Sequence, residues 1–304
     1  MPELPDIEDY RHALLDRVVG ETLTAVRLRG ISFLKSYDPP PDALHGRVVD
    51  DVRRVGKRLV LVVGQDEPPE DRLFAVLHLM VAGRLRWDDA VGAKIPGKIG
   101  HAAFDFSSGT LLVTEAGTKK RAKFHVERGE EALATHDRGG IEPLGLSRAA
   151  FREALLAENR TLKRALTDPR IFSGIGNAFS DEILVRARLS PVQLTRKLDE
   201  AEVVTLQDAV EETLLEWVAR LRAETGDGFP GKVTAFRPDF AVHGRFGEPC
   251  PRCEEHATVQ RIRYASNETN YCPACQTGGR ILADRSLSRL LKDDWPRSID
   301  ELDD

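Results

Sequence analysis

The sequence predicts an α+β protein: a β-sandwich with a helix in front of it, then a helical segment, then a small metal-held module. Three observations carry this. Short apolar or alternating runs, punctuated by glycine, fill residues 22–126. From residue 147 the apolar spacing changes to about 3.6 residues, the helical period. All four cysteines fall between positions 250 and 275. With 304 residues the chain has room for two domains and an appendage. Its 41% hydrophobic and 31% charged residues exclude a wholly disordered or fibrous protein.

Taken in order, Ile7, Tyr10, Leu14, Leu15 and Val18 share a helical face, and Gly20 stops the pattern, which predicts a helix over 7–18. Strands are expected over 23–28, 47–55, 59–63, 73–79, 102–106 and 111–113, the spacing of a sandwich or barrel. The polar stretch 128–146 reads as a linker. Helices follow over 147–157 with Ser147 as cap, from 162, over 177–187 and over 199–221. Val203, Leu206, Val210, Leu214, Trp217 and Leu221 line one face of the last. Gly226, Gly228, Pro230 and Gly231 mark 222–237 as a flexible loop. The expected division is 1–130, 131–239 and 240–285, with an acidic, frayed tail over 286–304.

The net charge is −5, which argues against a polyanionic partner until its distribution is read. Residues 66–71 carry four acidic and no basic side chains, and 292–304 carry six acidic against two basic. With these two stretches set aside the remainder is net positive, so nucleic acid is not excluded. No apolar run is long enough to span a membrane, and the start MPELPDIEDY has no signal-peptide pattern, which points to the cytoplasm. No nucleotide-cofactor motif stands out. Without a long heptad pattern or apolar patch, a monomer is expected.

The cysteines read Cys250-Pro-Arg-Cys253 and Cys272-Pro-Ala-Cys275, with 18 residues between the pairs. Two such pairs supply four thiolates from two tight turns, the pattern of a structural Zn2+ site. With all four ligands from protein, no coordination position is open for chemistry, so this metal holds a fold.

Other residues carry chemistry more weakly. Loss of Met1 would leave Pro2 with a secondary amine able to attack an aldehyde-like carbon and form an iminium. At pH 7 roughly 10–20% of an ordinary α-amine is neutral, against about 0.04% of a lysine. Glu3 is placed to act as acid or base beside it. Lys57, in Val55-Gly56-Lys57-Arg58-Leu59, falls at a hairpin tip and can reach a phosphate or take a proton. Gly174-Ile175-Gly176-Asn177 opens onto a helix whose free N–H groups form a phosphate site, with Lys163 in the preceding helix. Lys119, Lys120 and Arg121 form a basic run. His78, inside Leu77-His78-Leu79-Met80, reads as a hydrogen-bonded core histidine.

These features occur in one order, and in that order the chain resembles the formamidopyrimidine-DNA glycosylase/endonuclease VIII family. The resemblance spans nearly the whole length. It rests on Pro2-Glu3-Leu4-Pro5-x-x-Glu8, Gly56-Lys57-Arg58, His78-Leu79 and Gly83-Arg84-Leu85. It continues through Gly174-Ile175-Gly176-Asn177 with Asp181-Glu182, Val242-x-Gly244-Arg245-x-Gly247-Glu248-Pro249-Cys250, and both cysteine pairs. It implies an N-terminal β-sandwich, a helix–two-turn–helix domain and a zinc ribbon. It also implies a bifunctional glycosylase/AP lyase of base-excision repair acting on damaged double-stranded DNA. Pro2 would attack C1′ of a flipped-out nucleoside, Glu3 would protonate the sugar oxygen or leaving group, and Lys57 would bind phosphate and assist elimination. Lys163, Gly176 and Asn177 would grip phosphates near the lesion, and the ribbon hairpin would do so from the other side.

The departures from the family pattern are specific. Asn267 stands where the family has an arginine five residues before the third cysteine, losing the charge and the bidentate fork. Arg261 and Arg263, at alternate positions nearby, are the candidates to compensate. The family's Asp-Pro-Arg-Arg-Phe loop is not recognisable in 114–122, and Met80-Val81 replaces Gly-Met. Leu4-Pro5 leans toward the branch that excises oxidised purines. The alternatives are an enzyme for oxidised pyrimidines, or a DNA-binding protein on the same fold that recognises lesions without cleaving. A zinc-ribbon transcription factor would leave the N-terminal motif unexplained.

Overall fold

Helix α1 spans Leu4–Val18, with Pro5 in its first turn and Leu4, Ile7, Tyr10, Leu14 and Val18 buried along one face. Eight strands follow: β1 (Thr22–Leu28), β2 (Arg47–Val55), β3 (Arg58–Val63), β4 (Leu73–His78), β5 (Gly83–Asp88), β6 (Gly100–Phe106), β7 (Gly109–Glu115) and β8 (Lys123–Arg128). They pair in the order β5-β7-β6-β1-β2-β3-β4-β8, every pair antiparallel. The two halves of this sheet face each other as a sandwich. Leu23, Phe104, Phe106 and Leu111 from one half meet Leu59, Leu61, Leu77 and Phe124 from the other in a single core. The computed structural model describes residues 1–64, 67–231, 233–234, 236–253, 257–264, 267–284 and 296–302.

β3 reads as an unbroken apolar run because both of its faces are covered. Leu59, Leu61 and Val63 point into the sandwich. Val60 and Val62, with Phe74 and Val76 of β4, form a second cluster under Leu133. Leu133 belongs to α2 (Gly129–Ala134), a short helix inside the stretch expected to be a plain linker. Two edge strands also go beyond the expected set. β5 and β8 carry polar residues on their outward faces, so hydrophobic runs alone did not mark them.

The expected flexible loop after the long helix is pinned in its described part. Phe229 packs its ring 5.7 Å from Tyr10 and 6.5 Å from Trp87, and Val233 is buried in the sandwich core. Accordingly, Trp217–Thr234 groups with Met1–Arg138 as one compact unit.

The second unit comprises Gly139–Glu216 and Ala235–Asp304. It contains α3 (Arg148–Leu156), α4 (Leu162–Thr167), α5 (Asn177–Arg186) and most of α6 (Glu200–Thr225). Ser147 caps α3, its hydroxyl accepting from the Ala150 N–H at 3.2 Å. The C-terminal hairpin pairs β9 (Gln260–Tyr264) with β10 (Asn267–Tyr271), and α7 (Pro273–Thr277) follows. Residues 286–295 and 303–304 of the expected tail lie outside the described residues. The described part is not frayed: the Ile281 N–H donates to Arg297 O, and the Ile299 N–H to Gly279 O, both at 2.9 Å. Among the described residues no helix is long and apolar enough to cross a membrane.

Candidate functional site

In the first unit, the start of α1 gathers the chemistry. Glu3 is its N-cap, and the Glu3 N–H donates to the Asp6 carboxylate at 2.8 Å, which fixes the entry of the chain into the helix. Pro2 is buried and Glu3 is only 3% exposed. The Met1 amine, immediately before Pro2, lies below its ordinary value. Burial is the largest cause, Arg84 and Lys57 push the same way, and Glu3 and Asp6 oppose. Lys57, far along the sequence, therefore lies within electrostatic reach of the Met1 amine that adjoins Pro2 and Glu3. Arg84 joins them. Sequence reading quoted it only as part of a motif, and its position after Gly83 was the available signal. Its guanidinium donates to Val233 O at 2.6 Å and Gly83 O at 2.7 Å.

Lys57 is placed by a two-residue turn between Val55 and Arg58, which pair across β2 and β3. Gly56 takes φ +60°, as the first central position of such a turn requires. A strut reaches this turn from α1. Glu8 accepts from Arg11 at 2.7 Å and from Arg54 at 2.6 Å, and Arg54 donates onward to Gly56 O at 3.1 Å. Burial raises the Glu8 carboxyl, but the hydrogen bonds from Arg11 and Arg54 outweigh it and hold the group below its ordinary value. His78, half-buried at the end of β4, is pushed down to about 3 by burial, then by Arg58, Lys123 and Lys57. The basic run 119–121 is exposed. Its base is organised by buried Glu115, which accepts from the Arg121 N–H at 2.9 Å and from His101 at 2.8 Å.

In the second unit, Gly176 caps α5 and Asn177 begins it. The Asn177 amide donates to Glu268 O of β10 at 2.8 Å, linking the helix start to the hairpin. Lys163 is buried, with its ammonium 2.6 Å from Asn177 O and 2.5 Å from the fully buried Asp181 carboxylate. Asp181 also meets His243 at 2.7 Å and accepts from the Asn270 N–H at 3.1 Å. Glu182 accepts from the N–H groups of Ala241, Val242 and His243 at 2.7–2.9 Å. Burial keeps its carboxyl above the ordinary range despite them. His243 and Asn270 were missed in the sequence because no local pattern joins them to Asp181.

On the hairpin, Arg261 and Arg263 flank Glu268 at 3.4 and 3.6 Å, and the Arg261 guanidinium lies 4.1 Å from the Phe246 ring centroid. The Asn267 backbone pairs with Tyr264; its side chain lies outside the described residues. Behind the hairpin the sulfur atoms of Cys250, Cys253, Cys272 and Cys275 all lie within 4.8 Å of one another. The Cys253–Cys272 sulfur separation is 3.7 Å. A tetrahedral ion bound at about 2.3 Å sets its sulfurs about 3.8 Å apart, so four thiolates here fit one metal. A hydrogen bond from Cys272 holds Cys250 below the thiol range and the same bond pushes Cys272 up, the mark of thiols crowded at one point.

Residues 1–132 match the Formamidopyrimidine-DNA glycosylase N-terminal domain, and residues 140–226 match the Formamidopyrimidine-DNA glycosylase H2TH domain. The formamidopyrimidine-DNA glycosylase of Heliobacterium modesticaldum is 34% identical over 289 residues, covering 91% of this chain and 100% of that protein. An uncharacterised formamidopyrimidine-DNA glycosylase-like protein of Mycobacterium tuberculosis is 39% identical over 153 residues, covering 50% of this chain and 94% of that one. The crystal structure of Lactococcus lactis Fpg with an oxidised-pyrimidine-containing DNA has a TM-score of 0.77 at 26% identity, covering 91% of this chain and 100% of that chain. The same enzyme with an abasic-site-containing DNA also gives 0.77, at 90% and 99% coverage. Fold and relatives together define a DNA glycosylase of DNA repair. The chain belongs to the formamidopyrimidine-DNA glycosylase family.

Proposed function

We propose that the chain is a bifunctional DNA glycosylase/AP lyase with Pro2 as nucleophile, working as a monomer on damaged duplex DNA without a nucleotide cofactor. The observation that supports this best is the setting of the chain's head. The Met1 amine, one residue ahead of Pro2, is lowered by burial and lies beside Glu3 and within the electrostatic reach of Lys57 and Arg84. After Met1 is removed, the Pro2 nitrogen attacks C1′ of a flipped-out nucleoside. The glycosidic bond breaks, and the base leaves with a proton supplied by Glu3. As the C1′–O4′ bond opens, O4′ takes up a proton and an iminium forms between Pro2 and C1′. The iminium acidifies the 2′ protons, so loss of one expels the 3′ phosphate. Lys57 holds phosphate and assists that proton transfer.

Strand gripping falls to the α5 N-terminus at Gly176 and Asn177, the loop at Lys119, Lys120 and Arg121, and the hairpin at Arg261, Arg263 and Asn267. Lys163 acts through Asn177, whose carbonyl it holds. Cys250, Cys253, Cys272 and Cys275 hold one structural Zn2+, which orders the hairpin when bound. Oxidised purines are the preferred substrates, a reading supported by the Leu4-Pro5 start and by the enzymes to which the chain is similar.

Borohydride trapping on abasic-site DNA tests the reading. Wild-type protein gives a covalent adduct, and Pro2→Gly gives none. Glu3→Gln loses base excision more than cleavage of a pre-formed abasic site, because only excision needs the leaving group protonated. An untrappable wild type, or equal trapping by Pro2→Gly, favours the non-cleaving binder that Asn267 and the altered loops motivate. A panel of duplexes carrying oxidised purines or pyrimidines settles lesion class.

A further inference from the structure

On the outer face of the sandwich, β8 presents His125 and Glu127 two residues apart on the same side of the strand. The chain then reverses. Gly129 takes φ +80°, its N–H donates to Arg72 O at 2.9 Å, and a Cβ there would stand 3.1 Å from Glu70 O. This turn lays α2 back over Phe74 and Val76 through Leu133. The next turn of chain brings His136 down onto the carboxylate it follows by nine residues in sequence.

His136 Nε2 lies 2.8 Å from Glu127 Oε1, and His125 Nδ1 lies 3.5 Å from the same oxygen. The three ligand atoms all lie within 4.8 Å of one another, and the two rings meet edge to face with centroids 4.7 Å apart. Ligands of a first-row ion at about 2.1 Å stand about 3.0–3.4 Å from each other, which the two measured separations bracket. The side chains are sheltered but not sealed, at 24%, 18% and 10% exposure for His125, Glu127 and His136. One side is therefore left for water ligands. Among the described residues no lysine or arginine pairs with Glu127. Its side-chain partners are the two imidazoles.

We propose that His125, Glu127 and His136 form a second metal site, independent of the cysteines, that takes a first-row divalent ion such as Zn2+, Co2+ or Ni2+. Two nitrogens and one carboxylate suit such ions and disfavour Mg2+ and Ca2+, which take oxygen ligands. The bound ion clamps α2 to the edge strand β8.

Cobalt titration of the metal-stripped full chain tests this. Wild-type protein binds two equivalents. One shows the intense sulfur-to-cobalt charge-transfer band, and the other shows only weak d–d bands. His125→Gln and Glu127→Gln each keep the charge-transfer band and lose the second equivalent. Saturation of the wild type at one equivalent overturns the proposal, as does retention of the second by both variants. Should a variant fail to fold, the wild-type imidazole 15N resonances decide. They shift for His125 and His136 as a second equivalent of Zn2+ is added, and unmoved resonances overturn the site.

Discussion

Met80 sits in the left-handed region at φ +53° in the turn between β4 and β5. The turn closes with the Gly83 N–H donating to Leu79 O at 2.9 Å, and a Cβ on Gly83 would lie 2.2 Å from that oxygen. Gly83 cannot change, whereas Met80 carries strain of about 1–2 kcal/mol that a glycine would not. Met80→Gly also frees the unfolded chain, which costs about 0.4–1 kcal/mol. The net is a stabilisation of about 0.5 kcal/mol in urea unfolding. A clear loss would mean that the methionine side chain holds the turn. Lys163 makes a sharper case. Its ammonium balances Asp181, which is 0% exposed. Lys163→Met leaves that buried carboxylate to His243 and Asn270 without its ammonium partner and should cost about 3–5 kcal/mol. The salt slope of DNA binding should stay unchanged, whereas loss of a direct phosphate contact would lower it by about 1.

Elements explain why some of this was legible. β2 was readable because Val49 and Val52 mark its core side, β3 because it is an apolar run covered on both faces, and α1 because its apolar residues line one face against the core. β5, β8 and α2 escaped because their polar outward residues look like loop until a neighbour covers them. The Glu8–Arg54–Gly56 strut escaped for another reason: a carboxylate on a helix and an arginine on a strand have no shared period. Its energetics can be tested by pH. The folded-state value of Glu8 lies below its unfolded value, so its contribution is present above the unfolded pKa and is lost as pH falls through the folded one. Glu8→Gln should therefore be less stable than wild type near neutrality, and the gap should close below about pH 4. A gap that persists undiminished in acid would assign it to packing.

For the whole molecule, spacing alone located the cysteine cluster, while the active-site reading needed the order of several weak motifs along the chain. The buried polar network was beyond such reading, because Lys163, Asp181, His243 and Asn270 come from four separate segments and meet only after folding. That network has a consequence for metal removal. The cysteines pack with Val185, Ala241, Val242 and Val259, and the hairpin they support supplies Asn270 to Asp181 and Glu268 O to Asn177. The sandwich core contains no cysteine. Stripping the metal should therefore abolish amide-exchange protection in β9 and β10 and weaken DNA binding, while β3 and β4 stay protected. Restoring Zn2+ should recover both. Full DNA affinity without metal, or loss of protection throughout the sandwich, would contradict a structural ion whose effect is confined to the hairpin it orders.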